Sequence, residues 1–314
     1  MIALRREGGV RGSGDTGMWL FGLRQAGRLA LGLLGAILLA ALVAAAGEHN
    51  PGTAAYARAV LSHLLSFGRL DFGTSTVSDG SAWADLARRL PATLELLGFG
   101  AVIAVVIGTP VGLLLSAGRV LRAGAPLLQI VAAAPVFCAG LGLLWLSARV
   151  LHWAGATHDT SFLAALLSGD LDAIEAGLRA VALPALTVGA AGAASIQLAL
   201  RRAMSQAAGE PYRRGLRAMG LGRFEIDRVY LFPQIIAGLL QSLGEVASSL
   251  LAAAAVAEWV FGWHGAADLF LKSVALQDWT VVALVLLFFA VFTMTAEFAG
   301  VMAARLLAWT DRTA

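Results

Sequence analysis

The feature that constrains this chain most is a series of long runs that carry no charge. Leu29–Ala46, Leu96–Gly118, Ala123–Ala148 and Ala180–Leu200 contain no Asp, Glu, Lys or Arg, and the last three are closed at both ends by a charged residue. Two further runs, about Ile235–Ala257 and about Trp279–Ala304, hold one carboxylate each among their apolar residues, Glu245 and Glu297. A helix needs roughly 20 predominantly apolar residues to cross a ~30 Å hydrocarbon layer, so all six runs qualify. Backbone exposed to lipid must satisfy its own hydrogen bonds, which makes these runs helices. The composition agrees: 59% of the 314 residues are hydrophobic and only 14% charged, whereas soluble domains sit near half and a quarter. The expectation is an all-α membrane protein with six transmembrane helices. Disorder, collagen-like structure and a disulfide scaffold are excluded, and the lone Cys138, set in an apolar run, reads as a buried small hydrophobe.

Orientation follows from the basic residues, of which all but Lys272 are Arg. With a cytoplasmic N-terminus, the inner segments hold Arg5, Arg6, Arg11, Arg24, Arg28, Arg119 and Arg122. They also hold the cluster Arg201, Arg202, Arg213, Arg214, Arg217, Arg223 and Arg228, and finally Arg305 and Arg312. That places 16 of the 23 cations inside and predicts cytoplasmic N- and C-termini. The first run could instead be a signal peptide cut near Ala44–Ala46, a reading opposed by the long segment before it. The chain then divides into a cytoplasmic segment 1–28, a first transmembrane helix 29–46, an outer segment 47–90 and a five-helix core 91–314. In the outer segment, Trp83–Leu90 looks helical, and Pro91 and Thr93 open the second span, where a proline is tolerated. The outer loop Leu151–Gly177 is weakly amphipathic and acidic, as for a segment lying on the membrane surface. The Gly/Ala-rich stretch Gly189–Ala194 suits close helix packing in lipid, although a GC-rich genome explains such a composition equally.

Loop 201–233 is the most informative. Pro211 can begin a short helix that Gly220 and Gly222 can end, and a second short helix, Arg223–Leu231, stops before Pro233. Two short helices in a water-facing loop have little core of their own, so a docking partner is expected; the plainer alternative is an ordinary Arg-rich inner loop.

Here the sequence resembles the membrane subunit of an ABC importer in the dipeptide/oligopeptide/nickel permease group. That family's motif is a Gly, nine residues, an aliphatic residue, one residue, then Leu-Pro; this chain has Gly220, nine residues, Tyr230, one residue, then Phe232-Pro233. Upstream, Tyr212–Gly220 matches five of the eight specified positions of the peptide-permease Tyr-x-Arg-Thr-Ala-Arg-Ala-Lys-Gly. The similarity extends to Leu70–Ser75, Arg89–Leu96, Leu183–Thr187, Glu258-Trp259-Val260-Phe261, Asp278 and Asp311-Arg312. The chain departs from the family where Trp263–Ala267 stands for Pro-Gly-x-Gly, where Met219 replaces a Lys, and where Gly238 replaces a second Pro. The long outer segment resembles the first of the two permeases that such systems pair.

What the resemblance implies is a coupling helix at Glu210–Met219 seated in a groove of an ATP-hydrolysing subunit. Glu210, Tyr212, Arg214, Arg217, Gly220 and Pro233 are then the coupling residues, with Arg214 and Arg217 pairing with ATPase carboxylates; alternatively both arginines only set topology or meet anionic lipid. It further implies a second homologous permease, a periplasmic or extracellular solute-binding protein and a bacterial inner-membrane location. ATP and Mg would be bound by the partner ATPase and no cofactor by this chain.

Intramembrane polar groups are the default pathway candidates. Gln241, Glu245, Ser248 and Ser249 form a polar stripe at helical spacing, with Gln129, Gln197, Glu258 and Glu297 as possible additions. Glu245 fits substrate contact and a structural inter-helix bond equally, Glu95 and Glu258 fit the outer boundary, and Asp278 fits a helix N-cap or a gate residue. A membrane enzyme is disfavoured because no nucleophile–base pair, His-x-x-x-His or paired carboxylates at depth exist. The five histidines lie outside the spans, which offers no site for a bare metal ion, and no phosphate-cradling Gly-x-x-x-x-Gly-Lys-Ser/Thr occurs. The solute stays open between an oligopeptide or dipeptide first, then an opine, a sugar or a nickel or other metal chelate; a stand-alone carrier or channel is the remaining alternative.

Overall fold

The structure is a computed structural model that describes residues 11–46, 53–117, 136–146, 149, 162–209, 219–220, 222, 226 and 232–313. The described residues form ten helices: α1 (Arg11–Ala46), α2 (Thr53–Gly68), α3 (Ala82–Ala117), α4 (Val136–Leu146), α5 (Phe162–Ser168), α6 (Leu171–Gly209), α7 (Phe232–Gln241), α8 (Leu243–Phe261), α9 (Ala266–Ala275) and α10 (Trp279–Thr313). Five are long and apolar enough to cross a membrane, over Leu20–Ala46, Ala82–Leu114, Leu171–Gln206, Leu243–Phe261 and Trp279–Leu307. The expected span Ala123–Ala148 lies largely outside the described residues and is seen only as α4.

The helices overrun the uncharged runs. The second begins at Ala82, so Trp83–Leu90 and the span form one helix, and Pro91 stands inside it rather than at its start. The fourth begins at Leu171, so Leu171–Gly177, expected to lie on the membrane surface, is its first two turns. The fifth is not one helix from Ile235 to Ala257: it breaks at Ser242. There the serine hydroxyl donates to the Leu239 carbonyl at 2.7 Å, competing with the helical ladder, and the chain restarts as α8. Cys138 is exposed on α4 rather than buried.

The core is the contact of α3 with α6, and its spacing is set by residues without side chains. A Cβ on Gly108 would stand 2.8 Å from the Cα and the carbonyl oxygen of Ala193, and one on Gly112 would stand 2.9 Å from Leu200. Gly100, Ala104, Gly108 and Gly112 recur every four residues and so fall on one helix face. Close backbone approach along such a face is how helices associate in lipid, where burial of apolar surface supplies no drive. Gly100 faces Val188, Gly108 faces Ala193 and Gly112 faces Leu200, so α3 and α6 run parallel. α8 packs antiparallel on α6, with Leu250 against Gly192 and Glu245 against Arg202. α1 lies antiparallel on α10, with Gly32 against Met294 and the Arg305 guanidinium over the Phe21 ring at 4.9 Å.

One end of the bundle therefore gathers the starts of α3, α6 and α10 with the end of α8. There α2, the α9 helix and a short hairpin bridged at Thr74 and Ser81 cover it. The rings of Phe67, Phe72 and Trp83 tie this cap together, the first pair tilted and the second stacked, with centroids 5.9 Å apart at each step. The opposite end holds the C-terminal turns of α6 with α7 and the start of α8.

Candidate translocation and coupling site

At the second end the Arg202 guanidinium forks onto the Glu245 carboxylate, with Nη1 donating to Oε1 at 3.1 Å and to Oε2 at 2.9 Å. Both side chains are about half exposed, 52% and 48%. Ala199, Arg202, Ala203 and Gln206 of α6, with Gly238, Gln241, Ser242 and Glu245, line a cleft of about 200 Å³. The Ser242 break lets α7 lean on α6, where a Cβ on Gly238 would stand 2.7 Å from that of Ala203. Gln241, Glu245 and Ser248 are exposed along one face, whereas Val246, Ala247, Leu250 and Leu251 are buried against the core. Ser248 donates to its own helix at Gly244, and Ser249 turns inward to donate to the Ala191 carbonyl of α6 at 3.2 Å. The structure thus brings Gln241, Glu245 and Ser248 together and sets Ser249 apart from them. For Glu245 it shows an inter-helix ion pair that also faces a cleft. Arg202 is the partner that sequence reasoning counts only as a topology signal; 43 residues separate the pair, so no local pattern reveals it.

Glu210, Tyr212, Arg214 and Arg217, expected to couple to an ATPase, lie outside the described residues. Gly220 is exposed in a turn at φ +85°, a conformation that favours glycine and suits the end of a helix. Pro233 is the second residue of α7, where its missing N–H breaks no helical bond. The expected loop 201–233 is shorter, because its first nine residues continue α6 to Gly209 and α7 begins at Phe232; residues 210–231 connect two of the three helices that border the Arg202–Glu245 cleft.

Glu258 occupies a different place. Its side chain is fully buried: the Thr93 hydroxyl donates to Oε1 at 2.7 Å and the Asp268 N–H to Oε2 at 2.9 Å. The same Thr93 oxygen accepts from the Ala266 N–H at 2.7 Å. A Cβ on Gly265 would collide with both the Glu258 carboxylate and the Thr93 hydroxyl, which explains a glycine there. Asp268 in turn pairs with Arg89 at 3.0 Å and Lys272 at 2.6 Å, and the Trp263 indole N–H donates to the Ala92 carbonyl at 3.0 Å. Glu258 is thereby a clasp joining α3 to α8 and α9 inside the chain, with both oxygens engaged. Thr93 and Asp268 are its partners that the sequence does not reveal. Glu95 receives the Phe162 N–H at 2.9 Å at this same end, and Gln197 is buried in α6.

Asp278 caps the last helix: Oδ1 accepts from the Val281 N–H at 3.3 Å, while Oδ2 takes the Ser75 hydroxyl at 2.6 Å and the Thr76 N–H at 3.1 Å. Of its two readings, the N-cap is the one the geometry displays, and the same carboxylate pins the 74–81 hairpin to the bundle.

Comparison with known proteins falls on this same core. Residues 96–308 match the family described as binding-protein-dependent transport system inner membrane component. The probable D,D-dipeptide transport system permease protein DdpB of Escherichia coli K12 is 32% identical over 230 residues, covering 68% of this chain and 67% of the relative. The oligopeptide transport system permease protein OppB of Mycobacterium tuberculosis H37Rv is 29% identical over 254 residues, covering 77% and 75%. The dipeptide transport system permease protein DppB of Escherichia coli K12 is 28% identical over 233 residues, 68% of each chain. By the span of that family match, which contains the Gly100–Gly112 contact of α3 with α6, the Arg202–Glu245 cleft and Glu258 itself, this chain belongs to the inner-membrane permease components of binding-protein-dependent ABC transport systems.

Proposed function

We propose that the chain forms part of the translocation pathway for a small peptide-like solute across the bacterial inner membrane. A binding protein delivers the solute, and ATP hydrolysis on a partner subunit drives the cycle. The observation that carries this reading is the exposed polar stripe Gln241–Glu245–Ser248 with its Arg202 partner, at the foot of the helices joined by residues 210–231. A polar face at the edge of an apolar bundle suits a hydrated path. A loop that connects α6 to α7 suits a lever moved by a partner ATPase through Glu210–Met219. The peptide-like solute follows the names of the relatives; a second permease would supply the opposite wall.

The parallel run of α3 and α6 supports a sixth crossing. α3 ends at one face of the bundle and α6 starts at the other, so residues 118–170 have to return between them, and α4 lies along that route. The charge layout supports cytoplasmic termini. At the Thr93 end, Arg88, Arg89, Arg179 and Lys272 are each matched by a carboxylate. Among the described residues, Arg69 has none at that end; at the other end Arg24, Arg28 and Arg201 have none and Arg202 has Glu245, so the larger excess lies where the inner side is expected.

The test is to purify the tagged chain from its native membrane in gentle detergent and identify what accompanies it. Co-purification of ATPase subunits and a second permease is expected. Recovery of a stable chain free of any ATPase would refute the coupling role and favour a carrier or channel.

A further inference from the structure

The antiparallel contact of α1 with α10 is incomplete near the Arg202 end. It leaves a cleft of about 170 Å³ lined by Gln25, Arg28, Gly32, Met294, Glu297 and Phe298, among others. Arg28 and Glu297 are both exposed, and neither has a hydrogen-bonding or ion-pair partner among the described residues, each other included. Arg28 is the last charge before the uncharged run Leu29–Ala46, so it stands where hydrocarbon gives way to headgroups. Glu297 sits inside the apolar stretch of α10, ten residues short of Leu307. A carboxylate in an apolar stretch without a cation bound to it is expensive, and no described residue forms an ion pair with Glu297. Further along the face of α1 that carries Arg28 and Gly32 the surface is bare hydrocarbon: Leu39 and Leu42 are both exposed. One cation, one anion and an apolar runway leading away from them make a complementary surface for a single zwitterionic amphiphile.

We propose that this cleft binds an aminophospholipid, with its phosphate on Arg28, its primary ammonium on Glu297 and an acyl chain along Leu39 and Leu42. The Gln25 amide can add a hydrogen bond to the phosphate or glycerol oxygens. Ethanolamine fits where choline does not, because three N–H donors can meet a carboxylate and a quaternary nitrogen has none. Phosphatidylglycerol satisfies Arg28 but leaves Glu297 without a cation. The lipid would then hold the first helix against the last in the leaflet at the N-terminal end of α1, which is cytoplasmic in the topology proposed above.

The experiment uses the purified transporter complex reconstituted in nanodiscs of equal parts phosphatidylethanolamine, phosphatidylcholine and phosphatidylglycerol, with retained lipid counted by native mass spectrometry. Phosphatidylethanolamine should be retained over phosphatidylcholine by about two- to fivefold, the range of one half-exposed charged contact. Glu297→Gln should erase that preference, and Arg28→Gln should lower retention of every phospholipid. A companion series needs no variant: N-methyl- and N,N-dimethylphosphatidylethanolamine keep the charge and lose donors one at a time, so retention should fall stepwise. Equal retention across the methylation series overturns the proposal. So does a Glu297→Gln variant that keeps the wild-type lipid preference, or one that loses only its second permease, which would give Glu297 a protein partner.

Discussion

Gly108 and Gly98 lie on the same helix, and the structure makes opposite demands on them. A Cβ at Gly98 meets nothing within 4 Å, whereas one at Gly108 would stand 2.8 Å from backbone atoms of Ala193, which cannot rotate away as a side-chain tip can. Changing either to alanine gains the same helix propensity, about 1 kcal/mol relative to glycine. The difference between Gly98→Ala and Gly108→Ala therefore isolates packing. Overfilling a close contact costs about 1–3 kcal/mol, so Gly98→Ala should be neutral or stabilising and Gly108→Ala should fall below it by that amount. In a unit of 150–250 residues each kcal/mol moves the midpoint by about 2–4 °C. The two variants should thus melt several degrees apart, read from tryptophan fluorescence of the complex in one detergent. If Gly108→Ala melts with or above Gly98→Ala, α3 and α6 are not in backbone contact there, and the parallel packing that argues for a return crossing between them fails with it.

Three other outcomes test the remaining sites. Thr93→Val keeps the shape but deprives both the Glu258 carboxylate and the Ala266 N–H of a partner; a buried polar group so stranded costs about 1–3 kcal/mol. It should melt well below Thr187→Val, whose lost hydroxyl bonds only the Leu183 carbonyl of its own helix, and equal melting would refute the clasp. Asp278→Ala removes an N-cap worth ~1 kcal/mol and frees the hairpin held through Ser75, so limited proteolysis should cut within 74–81 faster than in the parent. Glu245→Gln breaks a half-exposed pair of the kind worth at most ~1 kcal/mol, so melting should barely move while solute uptake in proteoliposomes drops several-fold; unchanged uptake would reduce the pair to a helix tie.

Five of the expected spans were legible because crossing lipid is a one-body property: an uncharged run such as Leu96–Gly118 declares itself without reference to any neighbour. Helix ends were not, because a helix need not stop where lipid does. Asp172, Glu175 and Arg179 can be solvated on the first turns of α6, and Glu175 pairs with Arg179 one turn on. Pro91, readable as a helix start, sits within α3 because the turns before it are held from outside, by Asp268 on Arg89 and by the Ser78 hydroxyl on Asp85. The Ser242 break was hidden for the converse reason, since one serine in an apolar run carries no hydropathy signal and acts through its bond to Leu239.

The candidate site was legible in its residue types and hidden in its pairings. Glu245 and Glu258 look alike in the sequence, each a lone carboxylate in an apolar segment, yet one forks with Arg202 at a cleft and the other is closed off by Thr93 and the Asp268 backbone. The same holds for the glycines. A compositional account, in which Gly and Ala are common because the genome favours them, treats Gly98 and Gly108 as equivalent. A packing account does not, because only Gly108 has Ala193 against it. The two accounts part on a substitution of one methyl group at two positions ten residues apart.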